Sequence, residues 1–219
     1  MKPLSEAVPG IPGRLSLGTG IRIILIIIAC SIGYPPSLHA QDPGESGERE
    51  WRIASKTGDL QRDISSGTWE EASDLDHQMI WPGEKISTLE DGQAKISGPG
   101  GFQIRMREKT TLRRADIMAW SLETGLAGFR FETNATDTAV NVLITPWARV
   151  ECRTGLVILK VAPFIARIAV LKGTADVTGP GGVRRSLSAK EECAAAPTAL
   201  SHVYETTDDL YFAWYWDKP

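Results

Sequence analysis

Residues 92–102, GQAKISGPGGF, and residues 173–183, GTADVTGPGGV, are two versions of one segment set 81 positions apart. They share Gly, Ala and the whole Gly-Pro-Gly-Gly block in register, with Ile96 replaced by Val177 and Ser97 by Thr178. Each reads as a strand, a tight turn and a return strand, because Pro fixes φ for the turn and the following glycines supply the positive φ it needs. Gly-rich loops can also cradle phosphate, but that chemistry needs a helix N-terminus after the glycines. Here Phe102-Gln103-Ile104 and Val183-Arg184-Arg185 continue as strand. A chain that repeats a hairpin in this way builds two equivalent layers.

The rest of the sequence carries the same texture. Phe102, Ile104 and Met106 alternate with Gln103, Arg105 and Arg107. Phe129 and Phe131 alternate with Arg130 and Glu132, and Ala148, Val150 and Cys152 with Arg149, Glu151 and Arg153. Period-two alternation places apolar groups on one face of a half-buried strand. Val157–Val161 and Ile165–Leu171 are more uniformly apolar, as central strands are. With Gly, Pro and Asp turns every eight to twelve residues, the expected architecture is all-β: a twisted, β-solenoid-like stack of short strands and hairpins. Few helices are expected. Thr68-Trp69-Glu70-Glu71 has capping-box spacing and predicts one helical turn before Asp74, and residues 207–218 a short C-terminal helix or tail.

Arg14 and Arg22 precede an apolar run from Ile23 to Gly33, then come two prolines and Ser37-Leu38-His39-Ala40 before Gln41. That order describes a secretory signal peptide over residues 1–40, cut between Ala40 and Gln41. The run would be about 16 Å long as a helix, against the roughly 20 residues a bilayer core requires. Two alternatives stand beside cleavage: lipidation at Cys30 in the loose box Ile27-Ile28-Ala29-Cys30, or retention of the run as an inner-membrane anchor. Residues 41–50 read as a flexible leader, 51–195 as the β domain and 196–219 as an aromatic-rich tail. An exported chain keeps Cys152 and Cys193, which in an oxidising compartment are a candidate disulfide.

Chemistry-bearing patterns are sparse. Beyond residue 40, His77 and His202 have no metal-ligand spacing, and Cys152 and Cys193 form no Cys-x-x-Cys, so no metal or other cofactor is expected. Cys152 falls on the apolar face of its strand, where thiols are inert. Acid pairs such as Glu70-Glu71 and Glu191-Glu192 point to opposite strand faces, and no Ser sits in a nucleophile elbow, so no enzyme is expected. Without residues 1–40, 21 basic residues face 26 acidic ones, and a mildly acidic domain gains little from nucleic acid. Two binding features remain. Arg105, Arg107 and Lys109, placed on one strand face, could meet an anionic polymer or acidic surface; the alternative is a solvated face that discourages edge pairing. Tyr211, Phe212, Trp214 and Trp216, with Leu210 and Tyr215, could anchor a partner, or could cap the β-stack.

Several stretches resemble the FecR domain family. They are Trp81-Pro82-Gly83-Glu84-Lys85-Ile86-Ser87-Thr88, Glu90 to Ile96, Phe102 to Met106, and Thr110-Thr111-Leu112. Thr145-Pro146-Trp147-Ala148-Arg149-Val150 resembles the family's Thr-Pro strand, and Val170 to Val177 its Gly-centred strand. Leu187-Ser188-Ala189-Lys190-Glu191 resembles its closing Leu-x-Ala-Gly-Glu step, with Lys in place of Gly. The likeness spans residues 52–194. It departs at Cys152-Arg153-Thr154-Gly155, where the family has Arg-Gly-Thr, and in the short stretch before the apolar run, which lacks the pattern of the cytoplasmic sigma-regulating segment. The resemblance implies a periplasmic β domain that receives a signal. The expected function is an exported, non-catalytic module of the cell envelope that binds a protein or glycan. The alternatives are an inner-membrane-anchored relay with an uncleaved N-terminus and, from a third class, an envelope hydrolase or transferase. Membrane contact is expected only with lipidation or retention of the N-terminus.

Overall fold

A computed structural model describes residues 50–64, 67–72, 79–132 and 139–207. The strands are β1 (Arg52–Thr57), β2 (Leu60–Asp63), β3 (Glu70–Glu71), β4 (Lys85–Thr88), β5 (Gln93–Ser97), β6 (Gln103–Met106) and β7 (Thr111–Asp116). They continue with β8 (Ala119–Phe131), β9 (Asn141–Ile144), β10 (Arg149–Ala162), β11 (Ile165–Thr178), β12 (Arg184–Ser188), β13 (Glu191–Ala196), β14 (Ala199–Leu200) and β15 (Tyr204–Glu205). All belong to one open, antiparallel sheet, apart from the parallel pair β8–β9. The chain is all-β, as the alternation requires.

The inward sets are buried as expected. Phe102, Ile104 and Met106, then Phe129 and Phe131, then Ala148, Val150 and Cys152 all enter one core. Its aromatic end is built from edge-on contacts of Trp51 with Phe102 and Trp120, at 4.4 and 4.8 Å between ring centres, and of Phe102 with Phe131 at 4.5 Å. β10 and β11 are the central strands. Val157 and Leu159 face that core, whereas Ile158, Leu156 and Ala169 form a small second cluster on the opposite face.

The sequence repeat is a repeat of structure. Pro99–Gly101 and Pro180–Gly182 each form one 3-10 turn, with Gly100 at φ 64° and Gly181 at φ 66°. The turns close identically: Gly98 N–H donates to Phe102 O at 2.9 Å, and Gly179 N–H to Val183 O at 2.8 Å. The correspondence runs well beyond the matching letters. β4 and β5 together, flanked by β7 and β6, answer to β11, flanked by β13 and β12. β1 and β2, which pair with β5 and β4, answer to the single strand β10. Lys109 and Lys190, again 81 positions apart, both take left-handed backbone, at φ 55° and 70°.

The FecR-like motifs are turn closures. Trp81 N–H donates to the Glu84 carboxylate at 3.0 Å, and Ser188 N–H to the Glu191 carboxylate at 2.6 Å. Thr145 Oγ1 accepts from the Ala148 N–H at 2.9 Å and so folds the Thr-Pro-x-Ala turn.

Two expectations need correction. Thr68-Trp69-Glu70-Glu71 starts no helix: Glu70 and Glu71 form β3 against Arg62 and Gln61, because a ladder partner outweighs a marginal cap. The strands are not uniformly short, since β8, β10 and β11 run 13, 14 and 14 residues. The connections among the described residues are mainly antiparallel hairpins within one open sheet. β14 and β15 both pair with β13. The expected helix over 207–218 lies outside the described residues.

Gly173 sits at φ 84°, and a Cβ there would lie 2.3 Å from Thr154 O; Gly181 sits at φ 66° with open space around it. Left-handed backbone alone costs a side chain about 1–2 kcal/mol. Gly181→Ala is therefore expected to lower unfolding stability in urea by about 1 kcal/mol, and Gly173→Ala by roughly 2–4 kcal/mol, since the clash adds to the strain. Equal losses would show that the backbone approach at Gly173 is not tight in solution.

Candidate functional site

One register row crosses the sheet on the face opposite the main core. Ser55, Lys95, Arg105, Gly128, Ile158, Ala169 and Glu192 are successive cross-strand partners on β1, β5, β6, β8, β10, β11 and β13. Directly opposed residues share a face, so the row divides this outer face into three zones.

The first zone is cationic. The register between β1 and β5 slips between Ile53 and Ser55, and beside the slip lies a hollow of about 70 Å³ that Lys95 and Arg105 line from neighbouring strands, with no carboxylate in its lining; Lys56 also lines it, but its ammonium donates to Ala72 O outside the hollow. Small-molecule pockets are several times larger; the hollow has room for one anionic group on a larger partner. A second hollow of about 190 Å³ lies in the other half, near a slip at a different register position, between Cys152 and Gly155. There Asp176 stands 81 positions after Lys95, and Glu151 and Arg153 add charges of both signs. A hollow recurs and its chemistry does not.

The middle zone is apolar, with Leu156, Ile158 and Ala169 bordered by Leu126 and Leu171. The third zone is a buried charge network. Glu192 is fully buried; Arg167 Nε lies 2.6 Å from its Oε1, to which Tyr204 Oη also donates at 3.1 Å. Thr207 N–H donates to Oε2 at 3.3 Å, and the Arg167 guanidinium also reaches Thr207 Oγ1. Burial and the adjacent Glu192 charge raise the Tyr204 phenol above its ordinary value. A buried carboxylate is tolerated only when paired and hydrogen-bonded, as here.

The expected cationic strand face is therefore only partly assembled. Arg105 lines the hollow, but β6 ends at Met106, so Arg107 and Lys109 belong to the turn into β7. Lys109 Nζ instead meets Glu90 Oε1 at 2.7 Å, with both side chains largely exposed. Lys95 takes their place beside Arg105. It was within reach of the sequence, because Ser97 and Gln103 face each other across the Gly-Pro-Gly-Gly turn and the next outward pair is Lys95 and Arg105. Arg114, of the same basic stretch, turns inward and donates to Ile80 O while lying 5.8 Å from the Trp51 ring centre. Tyr211, Phe212, Trp214 and Trp216 lie outside the described residues, as do Ala40 and Gln41.

Cys152 and Cys193 are free and buried. The candidate disulfide is not formed: Cys152 pairs with Ala175 and Cys193 with Ile168, positions seven residues apart on β11 and so roughly 23 Å apart along the strand. Among the described residues, no cluster of His, Cys, Asp and Glu is placed to hold a metal, and no helix is long and apolar enough to cross a membrane.

No family model matches the sequence, and no curated protein matches it. Two solved structures of a "putative anti-sigma factor" from Parabacteroides distasonis are similar in part. They are 16% and 17% identical, each with a TM-score of 0.48 over 57% of this chain. This chain spans 60% of the length of those proteins.

Burial pushes both thiols up to about 12, and for Cys193 the neighbouring Glu192 charge acts in the same direction. At pH 8 the thiolate fraction is then on the order of one in ten thousand. Neither cysteine is expected to react with iodoacetamide in the folded protein at pH 8, and both are expected to react in denaturant. Mass spectrometry showing stoichiometric alkylation of either thiol under native conditions would contradict the burial.

Proposed function

We propose that this chain is an exported, non-catalytic, FecR-like module of the cell envelope, and that it recognises an anionic group on a protein or glycan through the outer face of β1, β5 and β6. The observation that carries the reading is the pairing of Lys95 with Arg105 at a hollow whose lining holds no carboxylate. Two cations on neighbouring strands create a local positive potential within a chain that is acidic overall, which steers and orients an anionic partner. Support for the FecR reading comes from residues: the acids and the threonine that carry the resemblance are those that close the turns. The export reading rests on the charge and hydropathy order of residues 1–40.

The hollow is tested with a uronic-acid or sulfated oligosaccharide as probe, titrated by NMR at two salt concentrations. Binding is expected to weaken with salt and to fall at least tenfold, about 1.4 kcal/mol, in Lys95→Glu combined with Arg105→Glu. Arg184→Glu, on exposed β12, should leave it unchanged. Equal affinity in the double variant would reject this face as the site. Export is read separately from the intact mass of the protein in fractionated cells. A chain starting at Gln41 supports a free module, and a full-length chain in the inner membrane favours the anchored relay.

A further inference from the structure

Ile117 and Trp81, 63% and 54% exposed, stand side by side at one end of the sheet. Ile117 lies in the turn from β7 to β8, where Asp116 faces Ala119. Arg114 N–H donates to Glu84 O at 3.0 Å and Gly83 N–H to Arg114 O at 2.7 Å. Residues 81–84 therefore run antiparallel to the end of β7 and bring Trp81 alongside Asp116 and Ile117. The chain enters the β domain at the same point. Trp51, the residue before β1, donates its indole N–H to Ile117 O at 3.2 Å, and its carbonyl accepts the Ile80 N–H at 2.9 Å. Trp51 is buried there, whereas Trp81 and Ile117 face water.

A single exposed apolar residue is ordinary on a protein surface, but a Trp beside an Ile at the point of chain entry is a specific placement. Tryptophan joins an apolar body to a polar N–H, and it concentrates where a membrane meets water. Seventeen residues separate the apolar run Ile23–Gly33 from Trp51. A link of that length reaches about 60 Å at full extension. With the run retained in a bilayer, the link joins the domain at the end that carries Trp81 and Ile117. A contact of two side chains is weak by itself, but a tether keeps it at high effective concentration. Phe164, 78% exposed, lies far from this end. It is in the β10–β11 turn near Val161, whose partner on β8 is Gly125. Ala119, beside the Ile117 turn, is six residues away along β8, roughly 20 Å.

We propose that the Trp81–Ile117 end of the sheet is a membrane-docking surface, seated at the lipid–water interface of the bilayer that holds residues 23–33. The proposal rests on the anchored reading of the N-terminus. Burial of apolar surface drives the contact. Glu50, Arg52 and Asp116, all exposed, flank the patch with charge of both signs, so no lipid of one charge is selected. Docking is therefore insensitive to salt, unlike recognition at the Lys95–Arg105 hollow. It also fixes an orientation, with the Phe164 turn clear of the bilayer.

The test uses the full chain reconstituted in phosphatidylcholine vesicles whose acyl chains carry bromine near the headgroup, with tryptophan emission as the readout. Quenching by bromine is expected to fall at least twofold in Trp81→Phe and in Ile117→Ser, and to be the same at low and high salt. Phe164→Trp, added to Trp81→Phe, is expected to restore none of it. Buried Cys152 and Cys193, still unreactive, report that each variant is folded. Equal quenching in the unmodified chain and Trp81→Phe would overturn the proposal while leaving the anchor in place, and would give the patch to a protein partner. Restoration by Phe164→Trp would overturn it too, because the domain then has no fixed orientation. A full chain that does not float with the vesicles removes the anchored reading, and the docking surface with it.

Discussion

The architecture depends on a close approach of backbones that only glycine permits. Gly155 and Gly173 face each other in the β10–β11 hairpin, and a Cβ on either would lie within 2.0–2.3 Å of a carbonyl oxygen across the pair. This is where both strands change neighbours. Along its other edge β10 passes from β9 to β8, and β11 passes from β13 to β12. A 14-residue strand with uniform pleat and twist would keep one neighbour along its length. The glycine crossing lets the strand bend, so that one hairpin serves two sets of partners. Gly58 and Gly92 do the same in the first half, each meeting the carbonyl beside the other. There the chain goes further and breaks into β1 with β2 and β4 with β5. The difference between two long strands and four short ones is thus a matter of degree at the same crossing.

Because that crossing is a backbone device, it leaves the outward side chains unconstrained. The hollows beside the two crossings share the backbone of equivalent strand residues, yet Lys95 in one is Asp176 in the other. The inward positions do not diverge so freely: Ile96 and Val177 are both fully buried, as are Met106 and Leu187. Packing holds the core to apolar residues of similar volume, whereas a solvated face tolerates reversal of charge. That asymmetry leaves the outward positions free to diverge between the two halves.

What the sequence disclosed follows the same division. The alternation of Phe102, Ile104 and Met106 was legible because burial on one sheet face imposes it, and the repeat was legible because its turns require glycine at fixed positions. The approach of Gly155 to Gly173 was hidden, since it depends on which strands pair. Glu192 was hidden for a related reason. Its partners Arg167, Tyr204 and Thr207 lie 25, 12 and 15 residues away, and the Glu-Glu pair disclosed only that its two acids point to opposite strand faces. Thr68 misled because capping spacing is a local signal, and the partner that made Glu70 and Glu71 a strand is nonlocal. Lys109 misled because the end of β6 is set by a left-handed turn residue, a place where lysine is not anticipated.

Two of the buried carboxylates, Glu84 and Glu192, show how the fold ties down segments that lack a long ladder. Glu84 is 2% exposed; its carboxylate meets Arg62 Nη2 at 2.5 Å and accepts the Trp81 N–H, while Arg62 also donates to Met79 O. Burial raises the Glu84 pKa even though Arg62 and the Trp81 N–H favour its charge. Raised folded-state affinity for a proton means that this carboxylate weakens the fold as pH climbs above its unfolded value of 4.5. The site is kept despite that cost because the same carboxylate holds the turn before β4 to β2. Glu192 likewise binds the end of β15 to β11. Each acid sits where the chain enters or leaves the sheet, and there a charged group with several acceptor directions can satisfy backbone donors that no neighbouring strand reaches. Each of these two buried acids is therefore a fastening for a loose end of the chain.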